Sequence, residues 1–303
     1  MKDETKKKKM SQLEEPQFFY ISLSQHIGNP AAETVKTGDY VKRFQLIGET
    51  QGNISAKIHS PVSGNVKDII EKAMPNGANV KTVVIENDFQ YIEEETVKRE
   101  IRNLSSYSEK ELLEIIENAG ITGEGGAQFP AHIKYDVKDK RIKNLILNGA
   151  ECEPYLTCDY TLMKEYTREL FDGIKIICEI LKPENIILAI DEKYSSLESE
   201  FIKYNTHNVR IVTVSDIYPQ GSEQLLINTI FNKELPKSKL PVEEGIIVSN
   251  VGTVKAVYEA FVHGKPLVER IVTISGEKSG EYGDYIMKTG TPLSHIIQKT
   301  GLK

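Results

Sequence analysis

A glycine-rich loop is the part of this sequence best suited to holding a ligand. Residues 120–130 are Gly-Ile-Thr-Gly-Glu-Gly-Gly-Ala-Gln-Phe-Pro, and they follow an amphipathic helical pattern. Glycine loses more conformational entropy on folding than any other residue, so a cluster of glycines indicates a backbone that bends sharply or touches a ligand closely. Backbone N–H groups beside a helix start suit a phosphate or a flat ring. The loop therefore predicts a nucleotide or flavin site.

Three further segments with small or polar residues each follow a predicted strand. They are Asn148-Gly-Ala-Glu-Cys-Glu-Pro154, Tyr218-Pro-Gln-Gly-Ser-Glu223 and Ser249-Asn-Val-Gly-Thr253. Ligands of open α/β sheets bind beyond the carboxyl ends of the strands, so we expect these segments to meet the glycine loop. The carboxylates of Glu151 and Glu153 can accept hydrogen bonds from hydroxyl-rich groups such as ribose.

The loop is neither of the two common phosphate-binding motifs. It follows a helix and lacks the G-x-G-x-x-G spacing of a dinucleotide fingerprint, and it also lacks the G-x-x-x-x-G-K-[ST] pattern of a P-loop. The histidines form no H-x-x-x-H or H-x-E pattern, which makes a metal hydrolase improbable. We predict no catalytic acid, nucleophile or metal ligand.

The three cysteines indicate structural thiols in a reducing cytoplasm. An odd and sparse set argues against a disulfide framework. No C-x-x-C pattern occurs, so neither a zinc ribbon nor an iron–sulfur cluster can be built from these cysteines alone. They are Cys152, Cys158 and Cys178.

Size and composition favour a soluble protein of two or three domains. The chain has 303 residues, of which 39% are hydrophobic and 27% charged. Its net charge of −6 gives no footprint for nucleic acid. No apolar run approaches the roughly 20 residues that a membrane-spanning helix needs.

Hydrophobic patterning predicts alternating helices and strands over residues 105–265. Ser108 is a candidate N-cap for a helix from Glu109 to Ala119, and a single long helix is expected from Asp159 to Leu181. Strands separated by helices imply a mostly parallel sheet covered on both faces. The remaining predicted strands are 144–148, 185–190, 209–214 and 245–249, and the remaining helices are 223–231 and 253–262.

Residues 17–95 predict a small β domain. Short alternating runs flank the turns Gly38-Asp39 and Ser63-Gly64-Asn65, in a style that resembles the barrel-sandwich of biotinyl and lipoyl carriers. A carrier presents a lysine on a tight hairpin, whereas this chain has Asn53 at that position, so the carrier function is excluded. Residues 1–16 are expected to be a disordered basic and polar tail, with contact between Lys6–Lys9 and an acidic membrane surface as the alternative.

The four segments together resemble the flavin domain shared by the NADH-binding subunit of respiratory complex I and the C subunit of the Rnf ion-pumping complex. Three features favour the Rnf protein: Leu23-Ser-Gln-His-Ile-Gly28 with the sandwich, Glu151-Cys-Glu-Pro-Tyr-Leu-Thr-Cys-Asp159, and Tyr218-Pro-Gln-Gly221. The resemblance covers roughly residues 17–303. It implies a Rossmann-like α/β domain that binds FMN and NADH at 105–265. Residues 267–303 would form a β-grasp (SLBB-like) segment, either minimal or truncated.

The resemblance also implies roles for individual residues. Gly123, Gly125, Gly126 and Ala127 would line the flavin ring and phosphate, and Phe129 would pack near the nicotinamide. Lys134 would contact the phosphate or the ring edge, while Asn148 and Glu151 would bond the ring or ribityl chain. Glu153 would face the NADH ribose. The residues expected to close over the nucleotide are Tyr218, Gly221 and Glu223, and those expected to hold the flavin phosphate are Asn250 and Thr253.

The function implied by the resemblance is hydride exchange between NAD(H) and FMN in an Rnf-type ferredoxin:NAD oxidoreductase. The partners would be the membrane and ferredoxin-like subunits of that complex, and the protein would lie on the cytoplasmic face of the membrane without entering it. Family members carry iron–sulfur clusters, but this chain has no four-cysteine motif to hold them.

Two alternatives remain open. Gln128 stands where the family usually has a glycine and Glu124 where it usually has an apolar residue, which could narrow the ring slot or weaken flavin binding. Gln128 and the missing cluster motifs permit a non-catalytic docking scaffold that keeps the fold without flavin. A relative of cobalamin reductases with the same flavin domain ranks lower, because the β-sandwich tends not to lead the chain in those proteins.

Overall fold

The structure is a computed structural model that describes residues 2–73, 77–126, 128–236, 239–276 and 280–301. Its helices are α1 (Lys2–Thr5), α2 (Glu109–Asn118), α3 (Ala131–Tyr135), α4 (Cys158–Glu165), α5 (Thr167–Leu181), α6 (Glu198–Tyr204), α7 (Glu223–Phe231), α8 (Val251–His263) and α9 (Leu293–Thr300). Its strands are β1 (Ser11–Gln12), β2 (Phe18–Ser22), β3 (Ala32–Glu33), β4 (Tyr40–Val41), β5 (Leu46–Glu49), β6 (Ile58–His59), β7 (Gly64–Ala73), β8 (Asn79–Asn87), β9 (Asn144–Gly149), β10 (Asn185–Asp191), β11 (Arg210–Val214), β12 (Ile246–Asn250), β13 (Glu269–Ile274) and β14 (Gly283–Lys288).

Two antiparallel sheets, ordered β2-β8-β7-β4 and β3-β5-β6, form the N-terminal sandwich. Side chains alternate along a strand, so Phe19 and Ile21 of β2 point into the same core and are fully buried there. Gly64 begins β7 at φ 154°, and a Cβ on it would lie 1.9 Å from the Glu86 carbonyl oxygen. The turn predicted at Ser63-Gly64-Asn65 is wrong, because Gly64 and Asn65 pair with β8 as part of β7. The turn predicted at Gly38-Asp39 is present, with the Asp39 N–H donating to the Lys36 carbonyl oxygen at 3.1 Å. The barrel-sandwich architecture is confirmed.

The central sheet has the order β11-β10-β9-β12, and all of its strand pairs are parallel. Leu145 and Leu147 of β9 belong to the core shared with α5 and α8, whereas Ile146 packs with Leu226 and Ile227 of α7 on the opposite face. Coverage of both faces explains why β9 is continuously apolar. The predicted parallel sheet is confirmed, and its carboxyl edge lies at Gly149, Asp191, Val214 and Asn250.

The start of α2 agrees with the sequence-based prediction. Ser108 caps α2 as predicted, and Glu111 completes a capping box by accepting from the Ser108 backbone N–H at 2.7 Å.

The single helix predicted from Asp159 to Leu181 is wrong. Tyr166, at φ −122° and ψ 36°, interrupts it between α4 and α5. Both halves are amphipathic, so a hydrophobic pattern alone does not reveal the break.

The prediction of a disordered tail at residues 1–16 is wrong for residues 2–13. Lys2–Thr5 form α1, Thr5 is buried, and β1 pairs in parallel with β14. The ammonium of Lys2 lies 3.2 Å from the Asp216 carboxylate and 3.8 Å from that of Asp191. The lysine-rich composition suggested disorder, but the segment is held in place by acidic residues far along the chain and by the burial of Leu13.

A small C-terminal sheet has the order β1-β14-β13 and carries α9. Its buried Asp284 accepts hydrogen bonds from the hydroxyls of Thr157, Thr161 and Thr273. Because Thr157 and Thr161 flank the start of α4, this sheet fixes that helix beside the central sheet. The β-grasp classification of residues 267–303 stays a prediction.

Among the described residues, we find no helix that combines the length and the apolar character needed to cross a bilayer.

Candidate flavin and nucleotide site

Two adjoining clefts lie at the carboxyl edge of the central sheet. The Phe129 cleft, of about 350 Å³, is bounded by the glycine loop, α3 and the starts of α7 and α8. The acid cleft, of about 270 Å³, lies between the glycine loop, the start of α4 and β13. The residues that line both clefts, which we call the shared floor, are Gly125, Gly126, Asn148, Gly221 and Asn250.

The structure brings together all but two of the predicted site residues. Gly123, Phe129, Lys134, Glu223 and Thr253 line the Phe129 cleft, and Glu151 and Glu153 line the acid cleft, in addition to the shared floor. Tyr218 lines neither cleft, and 67% of its surface is exposed. Ala127 lies outside the described residues.

The two ends of the glycine loop are joined by a hydrogen bond, and the loop packs against the first turn of α8. The Gly123 N–H donates to the Phe129 carbonyl oxygen at 2.9 Å, which joins the two arms of the loop. A Cβ on Gly125 would lie 2.8 Å from the Asn250 side chain, so only glycine fits there without displacing that residue. Among the described residues, and apart from its neighbours in the chain, a Cβ on Gly126 would meet no atom within 4 Å. The loop thus offers an open glycine surface on which a flat ring could lie.

Asn148 and Gly221 hold two strand-end segments together in the shared floor. The amide of Asn148 donates to the Gly221 carbonyl oxygen at 2.9 Å, and its Oδ1 accepts from the Ala150 N–H at 3.1 Å. A Cβ on Gly221 would lie only 2.4 Å from the Ala150 carbonyl oxygen. Asn148 therefore helps to build the floor, and its expected bond to the flavin ring or ribityl chain stays a prediction.

Glu151 makes its hydrogen bonds within the chain, and its expected bond to the flavin ring or ribityl chain stays a prediction. Its carboxylate accepts from the backbone N–H groups of Asp159 and Tyr160, at 2.9 and 3.0 Å, and from the Tyr194 hydroxyl at 3.0 Å. These bonds satisfy the first donors of α4, and the negative charge complements the positive end of the helix. Burial raises the pKa of Glu151. Its carboxylate is thus bound to the chain itself.

Asp159 and Asn250 connect the starts of two helices. Asn250 caps α8 by accepting from the Gly252 N–H at 2.8 Å, and its amide donates to the Asp159 carboxylate at 2.8 Å. Burial, together with the nearby charge of Glu151, raises the pKa of Asp159 well above its ordinary range. A carboxylate oxygen of Asp159 lies within 4.8 Å of one of Glu151, and two carboxyl groups this close favour keeping a proton between them.

The Phe129 cleft has a different character. Its mouth carries an ion pair at 3.4 Å between Lys134 and Glu223, both partly exposed. Its wall includes Tyr135, whose hydroxyl is 2.6 Å from Ser249 Oγ, and burial raises the pKa of Tyr135 to about 12. The buried hydroxyl of Thr253 accepts from the Glu124 N–H at 3.0 Å, which leaves its own proton available to a ligand.

Sequence reasoning missed Asp159 and Arg270 as site residues. Asp159 ends the segment that supports the family resemblance and begins a helix, so its position beyond a strand end was a usable signal. Arg270 offers no such signal, because it lies on β13, 146 residues from Glu124, whose carbonyl oxygen it binds at 2.8 Å.

Comparisons with known proteins agree with both domains. Residues 1–90 match the family model described as the RnfC barrel sandwich hybrid domain, and residues 116–259 match the Nuo51 FMN-binding domain. Among solved structures, an NAD⁺-reducing [NiFe]-hydrogenase in the H₂-reduced state is similar over 70% of this chain and 45% of its own, with a TM-score of 0.58 and 19% identity. That similarity supports the fold alone.

Curated relatives are similar over nearly the whole chain. The C subunit of a proton-translocating ferredoxin:NAD(+) oxidoreductase complex from Clostridium ljungdahlii is 38% identical, over 94% of this chain and 63% of its own length. The Na(+)-translocating counterpart of Acetobacterium woodii is 32% identical, over 94% and 65%. The C subunit of an ion-translocating oxidoreductase complex from Haemophilus influenzae strain PittEE is 36% identical, over 93% and 44%.

This chain spans less than two thirds of the length of these relatives. Within that span, the match to the sandwich domain at residues 1–90 precedes the match to the FMN-binding domain at residues 116–259. The chain belongs to the RnfC family, the C subunits of Rnf complexes, and it contains that family's FMN-binding domain.

Proposed function

We propose that this chain binds FMN in the two adjoining clefts and exchanges hydride between FMN and NAD(H), as the flavoprotein arm of an Rnf-type ferredoxin:NAD oxidoreductase. The observation that carries the proposal is the open cleft beside Phe129, whose floor is a glycine surface at the carboxyl edge of a parallel sheet. Cleft volumes of about 300–1,000 Å³ are typical of cofactor sites, and the two clefts share one floor.

The residues present fit the parts of a flavin mononucleotide. Gly126 leaves open space for a flat ring, and the hydroxyl of Thr253 and the ammonium of Lys134 can donate to a phosphate. Glu153 is exposed at the acid cleft and free to accept from ribose hydroxyls. Asn148 and Glu151 contribute to binding indirectly, because their hydrogen bonds fix the backbone that would touch the ligand.

FMN, when bound, supplies the redox chemistry, since it can take up two electrons together and release them one at a time. The chain's own residues bind and orient the two cofactors and exclude water. Phe129 provides an apolar face at the cleft, and Lys134 and Glu223 close its mouth. This proposal needs no nucleophile or metal from the chain.

The wider role follows from the relatives. We propose that the electrons pass to iron–sulfur carriers beyond these 303 residues, because the three cysteines among them do not form a four-cysteine motif. The partners would be the membrane and ferredoxin-like subunits of the complex. The protein would then lie peripherally on the inner face of the cell membrane.

The test is to purify the chain, denature it and look for released FMN, and then to titrate the FMN-loaded protein with NADH under anaerobic conditions. We expect one FMN per chain and bleaching of the flavin absorption band on addition of NADH. A folded sample supplied with FMN that shows neither binding nor bleaching would contradict the proposal.

A docking scaffold without flavin is the second candidate, and the conformation of Gln128 favours it. This residue has φ 52°, in the left-handed region that favours glycine, and it lines the Phe129 cleft. Gln128→Gly would relieve the backbone and widen the cleft. If neither this variant nor the parent protein binds FMN, the scaffold is favoured. Binding by the parent protein excludes it.

A further inference from the structure

The chain's own carboxylates lie at the helix starts that surround the two clefts. Glu151 accepts from the first N–H groups of α4, and Glu223 is the first residue of α7. At α8, the carboxylate of Glu124 lies over the first turn. The N-terminus of a helix attracts anions, so a ligand phosphate that approaches these ends meets negative charge already in place.

Glu124 is held in this position by its backbone. Its N–H donates to Thr253 Oγ1 at 3.0 Å, and its carbonyl oxygen accepts from the Arg270 guanidinium at 2.8 Å. Its Oε2 lies 3.1 Å from the point that a Cβ on Gly252 would occupy. The lack of a side chain at Gly252 is what leaves room for this carboxylate at the start of α8.

Three cations and two carboxyl groups act on the charge of Glu124. Arg270, Lys255 and Lys265 attract the carboxylate, whereas Glu259 and Asp159 repel it. Burial is the strongest influence on its pKa and raises it, and the three cations oppose that shift. The three cations thus offset part of the cost of burying this carboxylate, which lies at the start of α8.

We propose that Glu124 is an internal anion at the start of α8 that lowers the preference of the site for phosphorylated over unphosphorylated flavin. The inference rests on the proposed function, because it takes the flavin phosphate to lie near Asn250 and Thr253. The resemblance implies an apolar residue at position 124, so the effect belongs to this chain in particular. Without the carboxylate, the positive end of α8 and Arg270 are free to attract the phosphate.

The experiment compares FMN with riboflavin, which differ only in the phosphate. The affinities of both flavins are measured by fluorescence quenching for the parent protein, Glu124→Gln and Glu124→Leu, at low and high salt. We expect each variant to bind FMN on the order of tenfold more tightly, with riboflavin affinity changed less than about twofold. High salt should shrink the FMN gain. Glu114→Gln is the matched control, because Glu114 is exposed on α2, away from both clefts, and its carboxylate pairs with Lys110 on the same helix.

The outcomes separate this inference from the proposed function. If the parent protein and both variants bind neither flavin, the proposed function fails and the inference fails with it. If flavins bind but the ratio of FMN to riboflavin affinity is the same with and without Glu124, the inference alone is overturned. Equal tightening for both flavins would also overturn it, since that result indicates a change of cleft shape rather than of charge.

Discussion

The two clefts share a floor but are built by opposite means. The acid cleft is walled by Glu124, Glu151 and Asp159, whose pKa values are all raised by burial, with Arg270 opposite them. The Phe129 cleft is walled by Phe129, Tyr135 and Val248, with one ion pair at its mouth. Negatively charged groups of a ligand are disfavoured in the acid cleft, because its carboxylates would repel them. The difference suggests that hydroxyl-rich parts of a ligand belong on the acid side, and flat or anionic parts on the Phe129 side.

The most damaging change should be one in the floor that both clefts share. Gly221→Ala places a Cβ 2.4 Å from the Ala150 carbonyl oxygen. Relieving this clash requires the backbone to move, which costs more than rotating a flexible side chain. We expect a loss of about 2–3 kcal/mol in the free energy of unfolding, and loss of flavin binding. Urea unfolding and FMN titration measure the two effects.

Gly126→Ala is the matched control for that variant. Its Cβ meets no atom within 4 Å, so the free energy of unfolding should stay within about 0.5 kcal/mol of the parent value. FMN affinity should nevertheless fall, because the added methyl group projects from the floor on which the ring is proposed to lie. Unchanged FMN affinity in Gly126→Ala would place the ring elsewhere.

The acid cleft should also depend on the N-terminal segment, unlike the Phe129 cleft. Lys2 binds the backbone carbonyl oxygen of Glu151, and its side chain is only 10% exposed beside Asp191, which is 2% exposed. Lys2→Ala leaves a buried carboxylate without its cation, and we expect a loss of about 2 kcal/mol in the free energy of unfolding. Thermal and urea unfolding provide the measurement. Lys9→Ala, at an exposed position, should have no comparable effect, and equal losses for both would argue against the contact.

The mildest effect that we expect is a dependence of stability on pH that arises in the acid cleft. The pKa of Asp159 is raised in the folded protein by burial and by Glu151, so the folded state holds more protons than the unfolded state above the ordinary carboxyl pKa of about 4. Stability should therefore fall as pH rises from about 4 through the raised pKa, by at most about 1.4 kcal/mol per pH unit for each group.

Asp159→Asn tests this dependence, because the asparagine can still accept the hydrogen bond from Asn250. Urea unfolding between pH 5 and 8 should show a shallower slope for the variant than for the parent protein. Asp139→Asn, which changes an exposed carboxylate, should keep the parent slope. A slope that does not respond to Asp159→Asn would mean that this group does not hold the extra proton.

Local sequence was sufficient where the signal itself is local. The N-cap at Ser108, the turn at Gly38 and the parallel strands β9, β10 and β12 each follow from neighbouring residues or from a continuous apolar run. The three strand-end segments of the predicted site were found because the carboxyl ends of parallel strands meet at one edge. Glycine content further marked where the backbone must pass close to a neighbour.

Tertiary structure decided the direction in which the polar groups act. Glu151 and Asn148 were recognised as site residues, but only the fold shows that they bind the chain's own N–H and C=O groups. The order of residues 2–13 and the reach of Arg270 depend on partners far away along the chain. Sequence thus determined which residues gather at the edge of the sheet. Only packing determined which of them remain free, since a buried donor or acceptor must first be satisfied within the chain itself.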